Sequence, residues 1–511
     1  MKKQKTRNAI FIADNRPFLL GHLLLQVQDT NPGLFDEALV YHQNMTKKDM
    51  ETLEKIMPCR FVNYDTDKLP DELFETNYNF KRFTKFMFAR YEMFNYLDEF
   101  ENILWIDTDM MIQGDLTELI DMAKETGYAM LREDKDNKSS KNTDTNRTNF
   151  TKEIHGYNMN AYLYCSGIIV INRCLKDYDK ITDYLYQKTV QYANYLSLPD
   201  QGVLNLMIED FNIDAKPIGQ NGKYGAYPYL GRDCTDSIVI HSWGKNKFWN
   251  SWYLYNLFPK WKEYYNKWIE LGGSKYSGTF LPDISVIIPV YKPKIDFFKD
   301  QMNTILNQMY NSYENYTNFE IIIVAEPIEV QELEETIKEY NDPRIKLIIN
   351  SERKGIAGSI NVGMKEAKGK YIARIDDDDY CHSHRLIKQF EYLEKNTNII
   401  LCTSNYEYFG DMNEGRITLE GEYSKAWSIF TCPFDHPTIM FNKEFFVKNN
   451  LFYDETRSHV EDWELWLRAF DAGMTVGSIP ETLYYHRWYN GQAGQNNKTI
   501  TMMRELVKKN F

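Results

Sequence analysis

The sequence predicts an α/β chain of two tandem units, each built around a parallel sheet, and three observations carry that expectation. Its 511 residues are too many for one core and suggest two to four domains. Strand-like apolar runs alternate with helical periodicity along both halves, the pattern that parallel sheets produce. A third feature occurs twice. Ile103-Leu-Trp-Ile-Asp-Thr-Asp-Met-Met-Ile112 breaks an apolar run with Asp107 and Asp109, and Lys370-Tyr-Ile-Ala-Arg-Ile-Asp-Asp-Asp-Asp-Tyr380 does so with Asp376 to Asp379.

Those acids fall where a strand leaves its sheet, the place at which open α/β sheets bind ligands. Two carboxylates facing a dry cleft are costly unless a cation neutralises them. Oxygen ligands of this kind suit Mg²⁺ or Mn²⁺, which join carboxylates to substrate phosphates. An isolated Asp-x-Asp is more often a solvated turn. Two occurrences, each ending a strand-like run, favour two active sites instead.

Composition narrows the classes. Apolar residues make up 43% and aromatic residues 15%, enough to fill the cores of globular domains. A net charge of -13 argues against a general nucleic-acid binder, whose footprint is an excess of Lys and Arg. No apolar segment of signal-peptide length follows the basic start 1–7. No uninterrupted apolar run approaches the roughly 20 residues of a membrane span. A cytoplasmic protein is therefore expected, with reversible peripheral docking at the inner face of the membrane left open. Seven scattered cysteines without a Cys-x-x-Cys pair point to reduced thiols rather than to disulfides or zinc.

In chain order, Asn8–Asp14 reads as the opening strand and Pro17–Val27 as the helix after it. Strands follow at Glu37–His42 and Cys59–Tyr64, separated by a helix over Thr46–Ile56 with Thr46 as N-cap. Phe83–Leu97 has helical spacing with Phe86, Arg90 and Phe94 on one face; Arg90 either pairs with a surface acid or faces the cleft as a cation for its ligand. The polar span 134–152 is a long loop, either a lid or a bland insertion. Tyr164–Asn172 is another buried strand, and Pro199–Asn205 starts a helix whose Asp200 and Gln201 serve either the dipole or a site. His241 leaves a strand where an imidazole can bind metal. After it, Gly244 lets the backbone approach a ligand and Lys247 offers a cation for phosphate. The aromatic-rich stretch from Trp249 to Trp268 reads as helix packing on a domain more than as a stacking platform.

In that order, Ile-Asp-Thr-Asp, Cys-Ser-Gly-Ile-Ile-Val-Ile-Asn, Asp-Gln-Gly-Val-Leu-Asn and His-Ser-Trp-Gly-Lys-Asn-Lys resemble glycosyltransferase family 8, over roughly Asn8–Trp268. The resemblance implies that Asp107, Asp109 and His241 hold Mn²⁺ against a nucleotide-sugar diphosphate. It implies that Gly244 and Lys247 contact the phosphates and that Asp200 and Gln201 lie beside the transferred sugar. Arg90 joins the donor contacts if it faces the cleft. Retention of anomeric configuration is implied as well.

The Gly- and Ser-rich stretch Leu271–Pro282 is the best linker, so the expected domains are 1–272 and 283–511, joined by 273–282. The α/β rhythm then restarts, with strands at Asp283–Pro289, Phe319–Ala325 and Arg344–Ile349 and helices at Asp296–Met309 and Glu329–Tyr340. Lys354–Gly363 opens a helix with small residues that permit phosphate approach. Glu461 and Asp462 begin another helix, where acids either favour the dipole or take a proton from an attacking hydroxyl.

Here the ordered set Ser-Val-Ile-Ile-Pro-Val-Tyr, Gly-Ile-Ala-Gly-Ser-Ile-Asn-Val-Gly, Ile-Asp-Asp-Asp-Asp, Asp-His-Pro-Thr-Ile-Met-Phe and Val-Glu-Asp-Trp-Glu-Leu-Trp-Leu-Arg resembles glycosyltransferase family 2, from about Ile284 to Trp488. That resemblance implies Asp376 and Asp378 as the diphosphate and metal pair, with Asp379 as a further carboxylate on the metal side. Glu326 would contact the nucleotide, Glu461 would lie on the donor side, and Asp462 would be the base of an inverting displacement. Together the two resemblances imply a tandem of GT-A-type, Rossmann-like nucleotide-sugar-binding domains. The implied function is a bifunctional transferase with one Mn²⁺ or Mg²⁺ per domain, UDP-linked donors and a glycan or lipid-linked glycan acceptor, as in bacterial surface polysaccharide synthesis. Rival expectations are a sugar-phosphate nucleotidyltransferase, and a chain in which one half only binds glycan or scaffolds the other.

Overall fold

The structure is a computed structural model that describes residues 7–81, 83–132, 146–219, 222–228, 234–312, 314–411, 415–416, 423–429, 432–457 and 459–489. Most of the expected 134–152 loop, up to residue 145, lies outside them. Two compact units result, one formed by Met1–Trp243 with Phe258–Gly278, the other by Gly244–Leu257 with Thr279–Phe511.

In the first unit the described strands are β1 (Asn8–Ala13), β2 (Glu37–His42), β3 (Cys59–Asn63), β4 (Asn102–Ile106), β5 (Met110–Ile112), β6 (Tyr128–Arg132), β7 (Tyr164–Asn172), β8 (Lys216–Ile218) and β9 (Val239–His241). Seven form a sheet in the order β3-β2-β1-β4-β7-β6-β8, and β5 pairs with β9 apart from it. The β3-β2-β1-β4 half is parallel as expected, but β7 runs antiparallel to both β4 and β6. A strand buried on both faces is a continuous apolar run whichever way its neighbour points, so Tyr164–Asn172 carries no sign of its direction. Phe83–Leu97 also departs from the expected α-helix: Lys85–Tyr96 is wound in 3₁₀ turns.

The helix Pro17–Thr30 packs on β5 and against the helix Pro259–Glu270. Trp261 and Trp268 are buried there, as the packing reading of the aromatic stretch expected. Each such ring buries on the order of 150–250 Å², about 4–6 kcal/mol of gross transfer free energy at about 25 cal/mol per Å². Gly21 is required at this contact, because a Cβ there would lie 2.1 Å from the Trp268 ring.

The second unit repeats the plan with β10 (Ile284–Val290), β11 (Phe319–Ala325), β12 (Ile345–Ile349), β13 (Tyr371–Arg374), β14 (Tyr380–Cys381), β15 (Leu401–Gly410), β16 (Gly415–Arg416), β17 (Met440–Asn442) and β18 (Val476–Trp488). The order is β12-β11-β10-β13-β17-β15-β18-β14, with β16 on β15. The first four strands are again parallel, and β17 joins antiparallel to β13.

The stretch Gly244–Leu257, which the expected boundary at 272 assigned to the first domain, packs in the second unit. Asn246 donates to the Asn315 carbonyl at 2.8 Å, the Ser251 and Thr317 hydroxyls are 2.7 Å apart, and the Trp252 amide donates to Asn318 at 3.0 Å. No Gly- or Pro-rich punctuation marks that exit in the sequence, since the chain passes between units inside an aromatic run. Among the described residues no helix is long and apolar enough to cross a membrane.

Candidate active sites

In the first unit β4 ends at Ile106 and the chain turns at once, the Met110 amide donating to the Asp107 carbonyl at 3.2 Å. The turn leads into β5, whose partner β9 sets Met110 opposite His241. This short ladder brings the imidazole to the acids: His241 Nε2 lies 3.2 Å from Asp109 Oδ1 and 4.0 Å from Asp107 Oδ2. All three residues offer a ligand atom within 4.8 Å of the others. Burial, with Asp109 alongside, holds the Asp107 carboxyl above its ordinary range even though Arg90 and His241 act against that rise.

Arg90 is buried and turned to the cleft, which decides between its two readings. It donates to the Ser166 carbonyl at 2.7 Å and to Asp107 Oδ1 at 3.1 Å, and its Nη1 lies 2.9 Å from Asp200 Oδ2. Trp105 Nε1 donates to the same Asp107 oxygen at 2.9 Å. Gln201 is held at both ends of its amide, accepting from the Ser166 amide at 3.2 Å and donating to Asn149 at 2.8 Å. Asp107, Asp109, His241, Arg90, Asp200 and Gln201 all line one cavity of about 380 Å³.

The fit of a divalent ion to this cluster rests on chemistry and on space. One imidazole and two carboxylates are hard or borderline donors suited to Mn²⁺. A Cβ on Gly167 would approach His241 Cε1 to 3.1 Å and Asp107 Oδ2 to 3.4 Å, so the glycine keeps the cradle open. Gly244 and Lys247 do not line the cavity. Gly244 has φ +80°, and Glu314 takes the position beside it, accepting from the Lys245 amide at 2.5 Å and the Asn246 amide at 3.3 Å.

In the second unit a cavity of about 580 Å³ is lined by Glu326, Arg374, Asp376, Asp377, Asp378, Glu461 and His486, among others. Arg374 grips Asp376 with both Nη atoms, one of them at 2.7 Å. Asp379 is enclosed: it accepts from the Tyr484 hydroxyl at 2.5 Å and the Arg487 amide at 2.7 Å, and His486 Nδ1 lies 2.6 Å away. Burial opposes a charge on His486, but Asp379, backed by Asp435 and Asp376, carries its pKa up to about 9. Asp376, Asp379 and His486 form a group able to share an ion, whereas the expected pair was Asp376 with Asp378 and Asp379 as the further carboxylate. Asp378 lines the cavity beside the Tyr489 hydroxyl, and burial among its acidic neighbours pushes it up to about 6.

Residues that sequence reasoning missed complete this site. His486 stands on β18, over a hundred residues from the acids, and only the pairing of β14 with β18 brings it near. Asp435 is pushed up to about 6 by burial beside Asp379 and Asp376, and its Oδ2 has no hydrogen-bond partner. Its place in the Asp-His-Pro-Thr run was the available signal. So many buried acids with raised pKa values suit a site that receives a cation.

Glu326 is buried and accepts from the Lys354 amide at 3.0 Å and the Ser359 hydroxyl at 3.1 Å, tying the start of the helix Gly355–Glu366 to β11. Glu461 lines the cavity; its Oε2 lacks a partner, and burial next to Asp462 pushes it up to about 7. Asp462, the expected base, does not line it. Its Oδ1 accepts from the Trp463 amide at 2.7 Å and its Oδ2 from the Cys432 thiol at 3.6 Å.

Two family models match the chain: Glycosyl transferase family 8 over residues 9–253 and Glycosyl transferase family 2 over residues 285–460, ending just before Glu461. An uncharacterized glycosyltransferase of Methanocaldococcus jannaschii is 34% identical over 215 residues, 40% of this chain and 71% of that protein. The O-antigen biosynthesis glycosyltransferase WbnJ of Escherichia coli is 30% identical over 218 residues, 40% of this chain and 80% of that protein. Among solved structures, galactosyltransferase LgtC with donor and acceptor sugar analogs is 16% identical, covering 51% of this chain and 95% of that one with a TM-score of 0.40. S. aureus TarS 1-349 is 18% identical with a TM-score of 0.35, and the overlap spans 40% of this chain and only 60% of that one. With two GT-A-type α/β sheets in tandem and a matching family in each half, the chain belongs to the glycosyltransferases, family 8 in its first half and family 2 in its second.

Proposed function

We propose that the chain is a bifunctional, metal-dependent glycosyltransferase that moves two sugars from UDP-linked donors onto a glycan or lipid-linked glycan. The single observation that carries this reading is the pair of separate carboxylate and imidazole clusters, each opening on its own cavity. The O-antigen role in the name of WbnJ supports a place in surface polysaccharide synthesis.

In the first site Asp107, Asp109 and His241 would hold Mn²⁺ or Mg²⁺. When bound, such an ion takes up the charge that develops on a departing diphosphate. Arg90 keeps Asp107 and Asp200 in one rigid frame, so that Asp200 and Gln201 present fixed polar edges to the transferred sugar. Retention of configuration in this site follows the family 8 resemblance.

In the second site Asp376, Asp379 and His486 would hold the ion, with Asp378 beside them, and Glu326 orders the start of the helix facing the donor. Asp462 is the base that takes the proton of the attacking hydroxyl in an inverting transfer. Its Oδ2 is engaged only by a thiol, a weak donor that a hydroxyl displaces.

Incubation of the chain with Mn²⁺, a panel of nucleotide sugars and simple glycoside acceptors, followed by mass spectrometry and linkage analysis, tests the proposal. Two distinct linkages, one α and one β from α-linked donors, are expected. Release of pyrophosphate from a sugar phosphate and a nucleoside triphosphate would instead make it a nucleotidyltransferase.

A further inference from the structure

The first cavity carries an aromatic surface that the metal cluster and the donor residues do not use. Trp243 lies two residues beyond His241, lines the same cavity, and is 42% exposed. Tyr227, half-buried and also lining the cavity, packs against it with ring centroids 4.8 Å apart and planes tilted by 40°. The pair is fixed from behind. Ala226 bridges Ile240 in parallel register, its amide donating to the Val239 carbonyl at 3.2 Å while its carbonyl accepts from the His241 amide at 2.9 Å. The backbone that sets His241 therefore also sets both rings. Arg132, its guanidinium 3.8 Å from the Tyr162 ring centroid, presents a polar donor to the same cavity.

Small-molecule sites are lined by aromatic side chains with a few placed polar groups, and the packed pair Trp243 and Tyr227 beside Arg132 has that composition. Its position separates the two substrates of a transfer. Arg90, Asp200 and Gln201 form the buried part of the cavity, where the donor reading places the transferred sugar. The acceptor must arrive from solvent, over the exposed part. Pyranosides offer a face of C–H groups flanked by hydroxyls, which suits an aromatic plane with a polar donor nearby.

We infer that Trp243 and Tyr227 form the acceptor subsite of the first cavity, stacking on the C–H face of a pyranoside whose hydroxyls reach Arg132. The inference rests on the transferase reading of that cavity.

Fluorine NMR of the full chain labelled with 5-fluorotryptophan tests it, with the Trp243 resonance assigned by its loss in Trp243→Phe. The chain has ten tryptophans, few enough to resolve. Titration with methyl β-D-glucopyranoside, whose ring carries axial C–H groups on both faces, should move the Trp243 resonance saturably. Tyr227→Ala should raise the apparent Kd at least about tenfold, while Tyr227→Phe stays within about threefold. A resonance that stays still with the glycoside, or that moves only with UDP and Mn²⁺, overturns the acceptor subsite. The readout needs no turnover, so a chain that transfers no sugar yet shows the saturable shift sinks the transferase reading and leaves the platform standing.

Discussion

Adjacent acids in the second site differ in what their oxygens meet. Glu461 points into the cavity with an unpartnered Oε2, while Asp462 spends one oxygen on the Trp463 amide at the helix start and the other on Cys432. The choice between them as base is a choice between present geometry and ease of exchange, and general-base assistance is typically worth about 10²–10⁴-fold. Asp462→Asn should lower turnover of the second transfer by at least about 10²-fold with donor binding, read by calorimetry, nearly intact; if Glu461→Gln takes that loss and Asp462→Asn does not, the base is Glu461. The sequence showed both acids but not their facing, since neighbouring residues at a helix start project in directions that only packing assigns. Arg90 illustrates the same limit: its charge was legible, but Ser166, Asp107 and Asp200 reach it from three separate parts of the chain.

Short elements do most of the positioning. The three-residue strands β5 and β9 carry little propensity of their own, yet their pairing delivers His241 to Asp109. At the opposite extreme, the helices Pro17–Thr30 and Pro259–Glu270 were both visible as apolar or aromatic runs, and their contact depends on Gly21 beneath Trp268. Gly21→Ala would recover up to about 1 kcal/mol of helix propensity, which partly masks the clash. Gly21→Val adds bulk with less of that gain, and overpacking costs about 1–3 kcal/mol. Hydrogen exchange in Pro17–Thr30 and Pro259–Glu270 should speed up in Gly21→Val while β10, β11 and β13 keep native rates. Unchanged exchange in those two helices would show that the Trp268 contact is not what holds them.

At the scale of the molecule, two units with separate cavities would make the two proposed transfers separable. Asp109→Asn should abolish one linkage and spare the other, as read by product analysis, because Asp109 lines only the first cavity; loss of both linkages together would remove the claim of two independent sites. The sequence by itself determined the tandem α/β plan and the strand ends carrying Asp107, Asp109 and Asp376 to Asp379, since apolar periodicity and turn chemistry are local properties of the chain. Strand direction at β7 and β17, the exit of Gly244–Leu257 to the second unit, the grouping of His486 with Asp376 and Asp379, and the facing of Glu461 were decided by tertiary structure alone. Each of these depends on which distant segment supplies the hydrogen bonds or the opposite charge. No local pattern encodes that partner.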